Sequence, residues 1–184
     1  MIHRPARARA IVLLALGAVA LATGALIGCT LRPAPTPTPA AVFATEQDAF
    51  AAAEDAYGAY NEAFNAIDLS DPSTFEPVFA LTTSDFRNAD KETLSELSAA
   101  GLQFVGETKI IGFEGMSSTT HFEEVVALVC IDLSESDVVN AAGDSVVPIE
   151  RPAVNTLRVT FAANAGSVLI AHADREPEAS CDSE

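Results

Sequence analysis

Residues 154–174 read VNTLRVTFAANAGSVLIAHAD, and this stretch predicts two strands joined by a turn. Apolar and polar side chains alternate over 154–163, a period typical of a strand with one buried face. The inward set is Leu157, Val159 and Phe161, and the outward set is Thr156, Arg158 and Thr160. Asn164-Ala165-Gly166 supplies the hairpin turn into a strand over 167–174. The chain is therefore expected to end in an antiparallel hairpin.

Two segments upstream extend the same sheet. Residues 121–133 alternate strongly, and one face carries Val125, Ala127, Val129, Ile131 and Leu133. Residues 102–114 are predicted as a further strand, weakened by Gly106. Residues 134–152 are polar and are predicted as a loop with a turn at Gly143-Asp144. Together these segments predict an antiparallel meander.

A long helix precedes the strands. Thr45 with Asp48 three residues later is typical of a helix N-cap. Apolar residues then recur at spacings of three and four, which predicts one stripe on an amphipathic helix of about 20 residues. The stripe consists of Phe50, Ala53, Tyr57, Tyr60, Phe64 and Ile67. Asp71 before Pro72 then predicts the cap of a second, short helix over 72–81.

A third helix is predicted over 88–100. Asn88 or Asp90 is its expected cap, and Gly101 is its expected end, because glycine adopts the backbone conformation that follows many helices. Its apolar stripe is formed by Leu94 and Leu97. Helices followed by antiparallel strands predict an α+β fold, with the N-terminal helices packed on one face of a curved antiparallel sheet.

The order of these elements resembles the NTF2-like fold, also called SnoaL-like or cystatin-like. The resemblance covers residues 45–175 and rests on a long first helix with paired aromatics, two short helices and long strands ending in a hairpin. It implies a conical cavity between helices and sheet, which binds a small molecule, serves as an active site or is filled by side chains. Members of the family often dimerise through the sheet, so the resemblance also admits a homodimer.

Tyr57 and Tyr60 are the candidate ligand-binding residues, because both lie on the stripe that would face this cavity. Ketosteroid-isomerase-like members of the family place a tyrosine on the first helix as an oxyanion donor, with an acid on the sheet as the base. The inward strand positions here are apolar and offer no such acid, so no catalytic residue is predicted. An aromatic stripe at helical spacing is also typical of a core.

Residues 1–28 are predicted to be a signal peptide. Arg4, Arg7 and Arg9 precede an uncharged apolar stretch over 10–29. Leu26-Ile27-Gly28-Cys29 resembles the lipobox of bacterial lipoproteins, in which the cysteine becomes the first mature residue and carries a lipid with acyl chains such as palmitate. The resemblance implies lipidation at Cys29 and a membrane-anchored protein on the extracytoplasmic face. The alternative is an uncleaved transmembrane helix, because 11–28 is almost long enough to span.

The rest of the chain divides into a linker, one domain and a tail. Residues 29–44 begin with the lipidated cysteine and continue as a proline-rich linker that favours extended polyproline II. Residues 45–175 form the domain, and 176–184 form a C-terminal tail. The chain has 10 basic and 26 acidic residues, and such an acidic surface repels nucleic acid. The expected partners are the membrane through the anchor, and a cell-envelope protein or small apolar ligand.

Cys130 and Cys181 are the two cysteines left after lipidation. An even pair in an extracytoplasmic chain predicts a disulfide bond. The alternative, a reactive thiol, is disfavoured because Cys130 lies in an apolar run, where a thiolate is unfavourable.

Metal and cofactor sites are not predicted. His121 with Glu123 and His172 with Asp174 each share a strand face, but they are expected at the surface or edge of the sheet. No phosphate-binding loop, dinucleotide fingerprint or CxxC motif occurs, so no cofactor is expected. The sequence favours a non-enzymatic binding or scaffold module of the cell envelope. The alternative is a small-molecule-binding or isomerase/dehydratase-like enzyme that uses the cavity.

Overall fold

The computed structural model describes residues 41–164 and 167–179. The chain divides into two units between Pro37 and Thr38, and all the described residues lie in the second unit. The predicted signal peptide, Cys29 and Cys181 lie outside the described residues. Within the described ranges, no helix is both long enough and apolar enough to cross a bilayer.

Helices come first along the described chain, and strands follow. The helices are α1 (Glu46–Asn65), α2 (Glu76–Ala80) and α3 (Ser84–Ala99), with a 3₁₀ turn at Pro72–Phe75. The strands are β1 (Gln103–Val105), β2 (Lys109–Ser118), β3 (Glu124–Asp132), β4 (Asp137–Val139), β5 (Val154–Asn164) and β6 (Ser167–Arg175). This order confirms the α+β class.

The start of α1 follows the sequence prediction. The Thr45 hydroxyl accepts a hydrogen bond from the Asp48 backbone N–H at 3.1 Å, and the Asp48 carboxylate accepts one from the Thr45 N–H at 3.1 Å. These two bonds form a capping box, which satisfies N–H groups that have no partner within the helix. One face of α1 then lies on the large sheet and buries Ala49, Ala53 and Tyr57.

The second predicted helix is a 3₁₀ turn that runs directly into α2. As predicted, the Asp71 side chain caps it by accepting from the Ser73 N–H at 3.0 Å. The broad span is confirmed. The tighter 3₁₀ geometry occupies its first turn, and α2 itself is only five residues long.

The third helix begins at Ser84, so the predicted cap at Asn88 or Asp90 was wrong. Both residues lie inside α3. The Thr83 backbone N–H donates to the Ile170 carbonyl of β6 at 2.8 Å, which holds Thr83 in an extended conformation immediately before the helix. A tertiary contact, and no side-chain cap, therefore fixes the start of α3.

The large sheet has four antiparallel strands in the order β2-β3-β5-β6. Its face toward α1 carries the predicted inward residues, including Val125, Val129, Val159 and Phe161, all of them fully buried. Extra residues interrupt the pairing of β2 in two places and of β6 in one, at Ile111, Met116 and Ala171. Such bulges bend strands and increase twist, as expected for a curved sheet.

The predicted single strand over 102–114 was wrong, because it is two strands in two different sheets. Gly106 adopts a positive φ of 74° and separates β1 from β2. β1 pairs antiparallel with β4, a short strand inside the segment 134–152 that was predicted to be a loop. We call β1, β4 and residues 133–136 together the annex.

The C-terminal residues that follow β6 lie against β5. The Glu176 backbone N–H donates to the Thr156 carbonyl at 2.9 Å, and the Glu176 carboxylate pairs with Arg158. The Thr156 hydroxyl donates to the Ala179 carbonyl at 3.1 Å. Cys130, which lies opposite Thr156 in the register, is disulfide-bonded. Its predicted bond to Cys181 stays a prediction, since Cys181 is outside the described residues.

Candidate functional site

The two candidate tyrosines lie in the packed interior beneath α1. Tyr57 is only 4 % exposed, and its ring meets Phe161 edge-on with the ring centroids 6.5 Å apart. Tyr60 lies 5.9 Å from Tyr57 and 6.3 Å from Phe86 of α3, again between ring centroids. Burial raises the pKa of both phenol groups, so both hydroxyls are neutral at physiological pH.

Tyr60 has an acidic partner that sequence reasoning missed. Its hydroxyl donates to the carboxylate of Asp90, with both oxygens at 3.5 Å, the outer limit for a hydrogen bond. Burial raises the pKa of Asp90 to about 6, and the hydrogen bond from Tyr60 lowers it in partial opposition. A carboxyl group that titrates near neutral pH is suited to general acid–base chemistry. Asp90 lies on α3 and not on the strands.

The cavities described below do not reach this pair. Each of the three lies within residues 41–164 and 167–179, and none is lined by Tyr57, Tyr60 or Asp90. Tyr60 and Asp90 are only partly buried, whereas Tyr57 is almost fully buried. As ligand-binding residues, the two tyrosines remain a prediction.

The most enclosed apolar cavity lies at the annex, and we call it the annex pocket. It has a volume of about 200 Å³ and lies between the C-terminal end of α1 and the β1–β4 pair. Its apolar walls are Phe64, Phe104, Val105, Leu133 and Val138. The rings of Phe64 and Phe104 are 5.3 Å apart between centroids and form one wall.

Asn61, Asn65 and Thr108 form a hydrogen-bonded cluster beside this pocket, which we call the clasp. The Asn65 side chain accepts from the Thr108 backbone N–H at 2.9 Å and donates to the Thr108 carbonyl at 2.9 Å. Asn61 donates to the same carbonyl and accepts from the Thr108 hydroxyl at 2.7 Å. These bonds tie the end of α1 to the chain just before β2. They engage the side-chain oxygen and one side-chain N–H of each asparagine.

Gly106, the residue after β1, allows the chain to approach residues 133–136 closely. A Cβ at this position would lie 1.8 Å from the Glu135 carbonyl oxygen, far inside any real contact. The positive φ of Gly106 is also one that side chains with a Cβ rarely adopt. The shape of the annex pocket therefore depends on a residue without a side chain at this point.

Arg151 is the cationic group at the pocket. Its Nη2 donates to the carbonyls of Leu133 and Ser136, and its Nη1 donates weakly to the Ser136 hydroxyl at 3.4 Å. Among the ion pairs of the described residues, none includes Arg151. Two features of the sequence indicate this pocket: Gly106 within the apolar run 102–114, and Arg151, a basic residue in an acidic chain.

The other two cavities are more open. One, of about 390 Å³, lies beside α1 near Phe43 and Val168, and the other, of about 480 Å³, lies over the loop that precedes β5. The second shares Arg151, Ser136 and Asp137 with the annex pocket, so the guanidinium lies at the boundary between an apolar chamber and an open polar surface.

The predicted surface histidines do not meet in a metal site. His172 is exposed and lies 2.7 Å from the Asp174 carboxylate, and His121 precedes β3, where its carbonyl accepts from the Val42 N–H. Within the part of the chain that the structure describes, no group of three or more potential metal ligands occurs.

Comparisons with known proteins show distant likeness to solved structures. No family model and no curated protein matches the sequence. The intermembrane-space region of the chloroplast protein ARC6 is 10 % identical over 68 % of this chain and 95 % of its own, with a TM-score of 0.49. A proposed aromatic ring hydroxylase from Novosphingobium aromaticivorans is 9 % identical over 73 % and 97 %, with a TM-score of 0.45. A de novo designed β-sheet protein is 18 % identical over 71 % and 88 %, with a TM-score of 0.33.

Proposed function

We propose that the chain is a lipid-anchored, extracytoplasmic module of the cell envelope that binds or scaffolds a partner without catalysis. The proposed location rests on the signal-peptide pattern of residues 1–28 and on the lipobox-like sequence that ends at Cys29. Two acyl chains hold a protein stably on a bilayer, whereas one chain binds only marginally. The helix-then-meander order supports an NTF2-like domain on this anchor.

The observation that carries the non-catalytic part is the packing between α1 and the large sheet. This is where the resemblance implies a cavity. Tyr57 from the helix and Phe161 and Val129 from the sheet occupy that space and are almost or fully buried. A filled interior supports a role for the surface of the domain rather than for an enclosed active site.

The outer face of the large sheet is the surface we propose for a partner. This face mixes half-buried apolar residues with polar ones: Val126 and Leu128 of β3 lie directly opposite Thr160 and Arg158 of β5. Next to them, Ala162 of β5 lies opposite Leu169 of β6. A cell-envelope protein or a second copy of the chain could bind such a mixed face, because protein interfaces combine apolar and polar contacts.

The Tyr60–Asp90 pair favours a second candidate, an isomerase/dehydratase-like enzyme. In that case Asp90 would act as the general base or acid, and Tyr60 would donate to the developing oxyanion. The three cavities described above do not reach the pair, which opposes this candidate.

The anchor is tested with a tagged full chain expressed in its own host. Cys29→Ala is expected to abolish the lipid mass and release or mislocalise the protein, whereas Thr30→Ala retains both lipid and membrane location. Fractionation and intact mass spectrometry give the two readouts. Unchanged membrane retention of Cys29→Ala without a lipid mass would favour the uncleaved transmembrane helix.

The choice between module and enzyme is tested by native mass spectrometry of the chain as purified from its host, before and after denaturation. A module is expected to carry no ligand under α1, and photo-crosslinkers at Leu128 or Leu169 should capture a partner chain. A mass excess that disappears on denaturation and is lost in Tyr60→Phe and Asp90→Asn would support the enzyme instead.

A further inference from the structure

We infer that the annex pocket binds a small monocarboxylate with an apolar body, and that Arg151 contacts its carboxylate. The inference concerns a site away from the Tyr60–Asp90 pair and does not depend on the lipid anchor. Two features carry it: the guanidinium of Arg151, which forms no ion pair within the described residues, and the apolar chamber beside it.

The guanidinium of Arg151 has hydrogen-bonding capacity left. Three of its bonds go to Leu133 and Ser136, which leaves Nε–H and one Nη1–H without a partner among residues 41–164 and 167–179. The bonds to the loop also fix the side chain in place, so little rotamer entropy is lost when an anion binds. A planar, immobilised guanidinium suits a carboxylate better than any neutral group.

Two carboxylates lie close to the annex pocket. Asp137 lines the pocket and accepts from the Ser145 hydroxyl at 2.8 Å and from the Val138 backbone N–H at 2.7 Å. Glu135 pairs with Lys109. Neither forms an ion pair with Arg151 in the described part of the structure, so the half-buried guanidinium is available to an external anion.

The chamber behind Arg151 sets the size and character of the body. The rings of Phe64 and Phe104 and the side chains of Val105 and Val138 line it. Its volume of about 200 Å³ is below the roughly 300–1,000 Å³ that is typical of sites for drug-sized ligands. One aromatic ring or a short aliphatic chain fits this space. A single guanidinium matches one negative charge, which favours a monocarboxylate over a phosphate ester.

Comparing the affinity for a carboxylate with that for the corresponding neutral amide distinguishes recognition by Arg151 from binding through the apolar body alone. The protein as purified from its host is titrated by calorimetry at pH 7.5 with 3-phenylpropionate and with 3-phenylpropionamide, and titrations into buffer without protein serve as the blank. The carboxylate is expected to bind at least about tenfold more tightly than the amide, as charge-assisted bonds are roughly twice as strong as neutral ones. Equal affinities, or no heat from either compound up to about 10 mM, would overturn the inference.

Variants assign the effect to the pocket. Arg151→Gln should remove the preference for the carboxylate while the amide binds as before. Because Arg151 also supports the loop at 133–136, a second variant avoids that dependence: Val105→Trp, at a wall position that is 49 % exposed, should fill the chamber and abolish binding of both compounds. Val154→Trp, at a 40 % exposed position that does not line the pocket, is the matched control and should bind normally. An unaffected Val105→Trp would contradict the proposed location.

Discussion

Two regions of this domain are held together by different kinds of interaction. They are the packed half, where α1 lies on the four-stranded sheet, and the annex. In the packed half, apolar side chains such as Tyr57 and Phe161 pack together, and the cavity of about 390 Å³ found there is open and lies at the edge, near Phe43 and Val168. At the annex, hydrogen bonds from Asn65 and Arg151 hold Thr108 and residues 133–136 in place, and a more enclosed cavity of about 200 Å³ remains between them. Apolar packing rewards filled volume, whereas directional bonds fix loops at a distance and leave room for a ligand.

The packed half should be the more sensitive of the two to loss of volume. Phe161→Ala removes a fully buried ring that contacts Tyr57 and Phe113, and it should lower the free energy of unfolding by about 3–5 kcal/mol. Phe104→Ala, in the wall of the annex pocket, should cost clearly less, because that ring is only half-buried beside an existing cavity. Urea unfolding of both variants measures the difference, and equal losses would contradict the comparison.

The annex should be more sensitive at its backbone than at its side chains. Gly106→Ala places a Cβ against the Glu135 carbonyl and strains a positive φ, so we expect a loss of about 2–3 kcal/mol. Gly58→Ala is the matched control, since a Cβ there meets nothing within 4 Å in the middle of α1, and it should stabilise by about 0.5–1 kcal/mol. A harmless Gly106→Ala would mean that the loops of the annex can separate at little cost.

The same contrast explains what the sequence could and could not predict. The periods along β3 and β5 correctly predicted which residues face the core, because each long element must bury one continuous face. The stripe predicted for α1 was correct at Ala53 and Tyr57, but it missed the buried Ala49 and included Ile67, which lies beyond the end of the helix. β4 offers only Val138 and Val139 as apolar residues, too few to produce a period, and its pairing with β1 is decided by the tertiary structure.

Other predictions failed where contacts distant in sequence decide the outcome. The start of α3 depends on the bond from Thr83 to Ile170, and the side chains of Asn88 and Asp90 resemble caps only in the sequence. Tyr60 and Asp90 are 30 residues apart and lie on different helices, so no local sequence pattern predicts their contact. The annex pocket is likewise assembled from four separate segments of the chain.

The clasp of the annex offers a smaller, polar test. Thr108→Val keeps the size of the side chain but removes the hydroxyl that donates to Asn61 and Asn65, and it should cost about 1–2 kcal/mol. Thr160→Val, the same change at a half-buried position on the outer face of β5, should stay within about 0.5 kcal/mol of the parent. Urea unfolding measures the free energy of unfolding of both variants. Similar losses at both positions would show that the hydrogen bonds of the clasp add no particular stability.

Asp90 is a partly buried acidic residue next to the packed half, and its effect on stability should depend on pH. Burial raises the pKa of Asp90 to about 6 in the folded protein, whereas an unfolded aspartate titrates near 3.9. The folded state therefore binds this proton more tightly than the unfolded state does. The contribution of Asp90 to stability is complete below about pH 4 and is lost as the pH rises through about 6.

Asp90→Asn keeps an acceptor for the Tyr60 hydroxyl but removes the buried charge. At pH 7 the variant should be more stable than the parent by about 1 kcal/mol, a figure reduced because solvent screens a half-exposed carboxylate. At pH 4 the two proteins should have nearly the same free energy of unfolding, since the parent is then largely protonated. Asp85→Asn, in the exposed first turn of α3, should show no gain at pH 7, because a negative charge there favours the helix. If Asp90→Asn instead destabilises the domain at pH 7, the negative charge of Asp90 stabilises the folded state. The carboxylate would then be better solvated than its position beside Tyr60 implies.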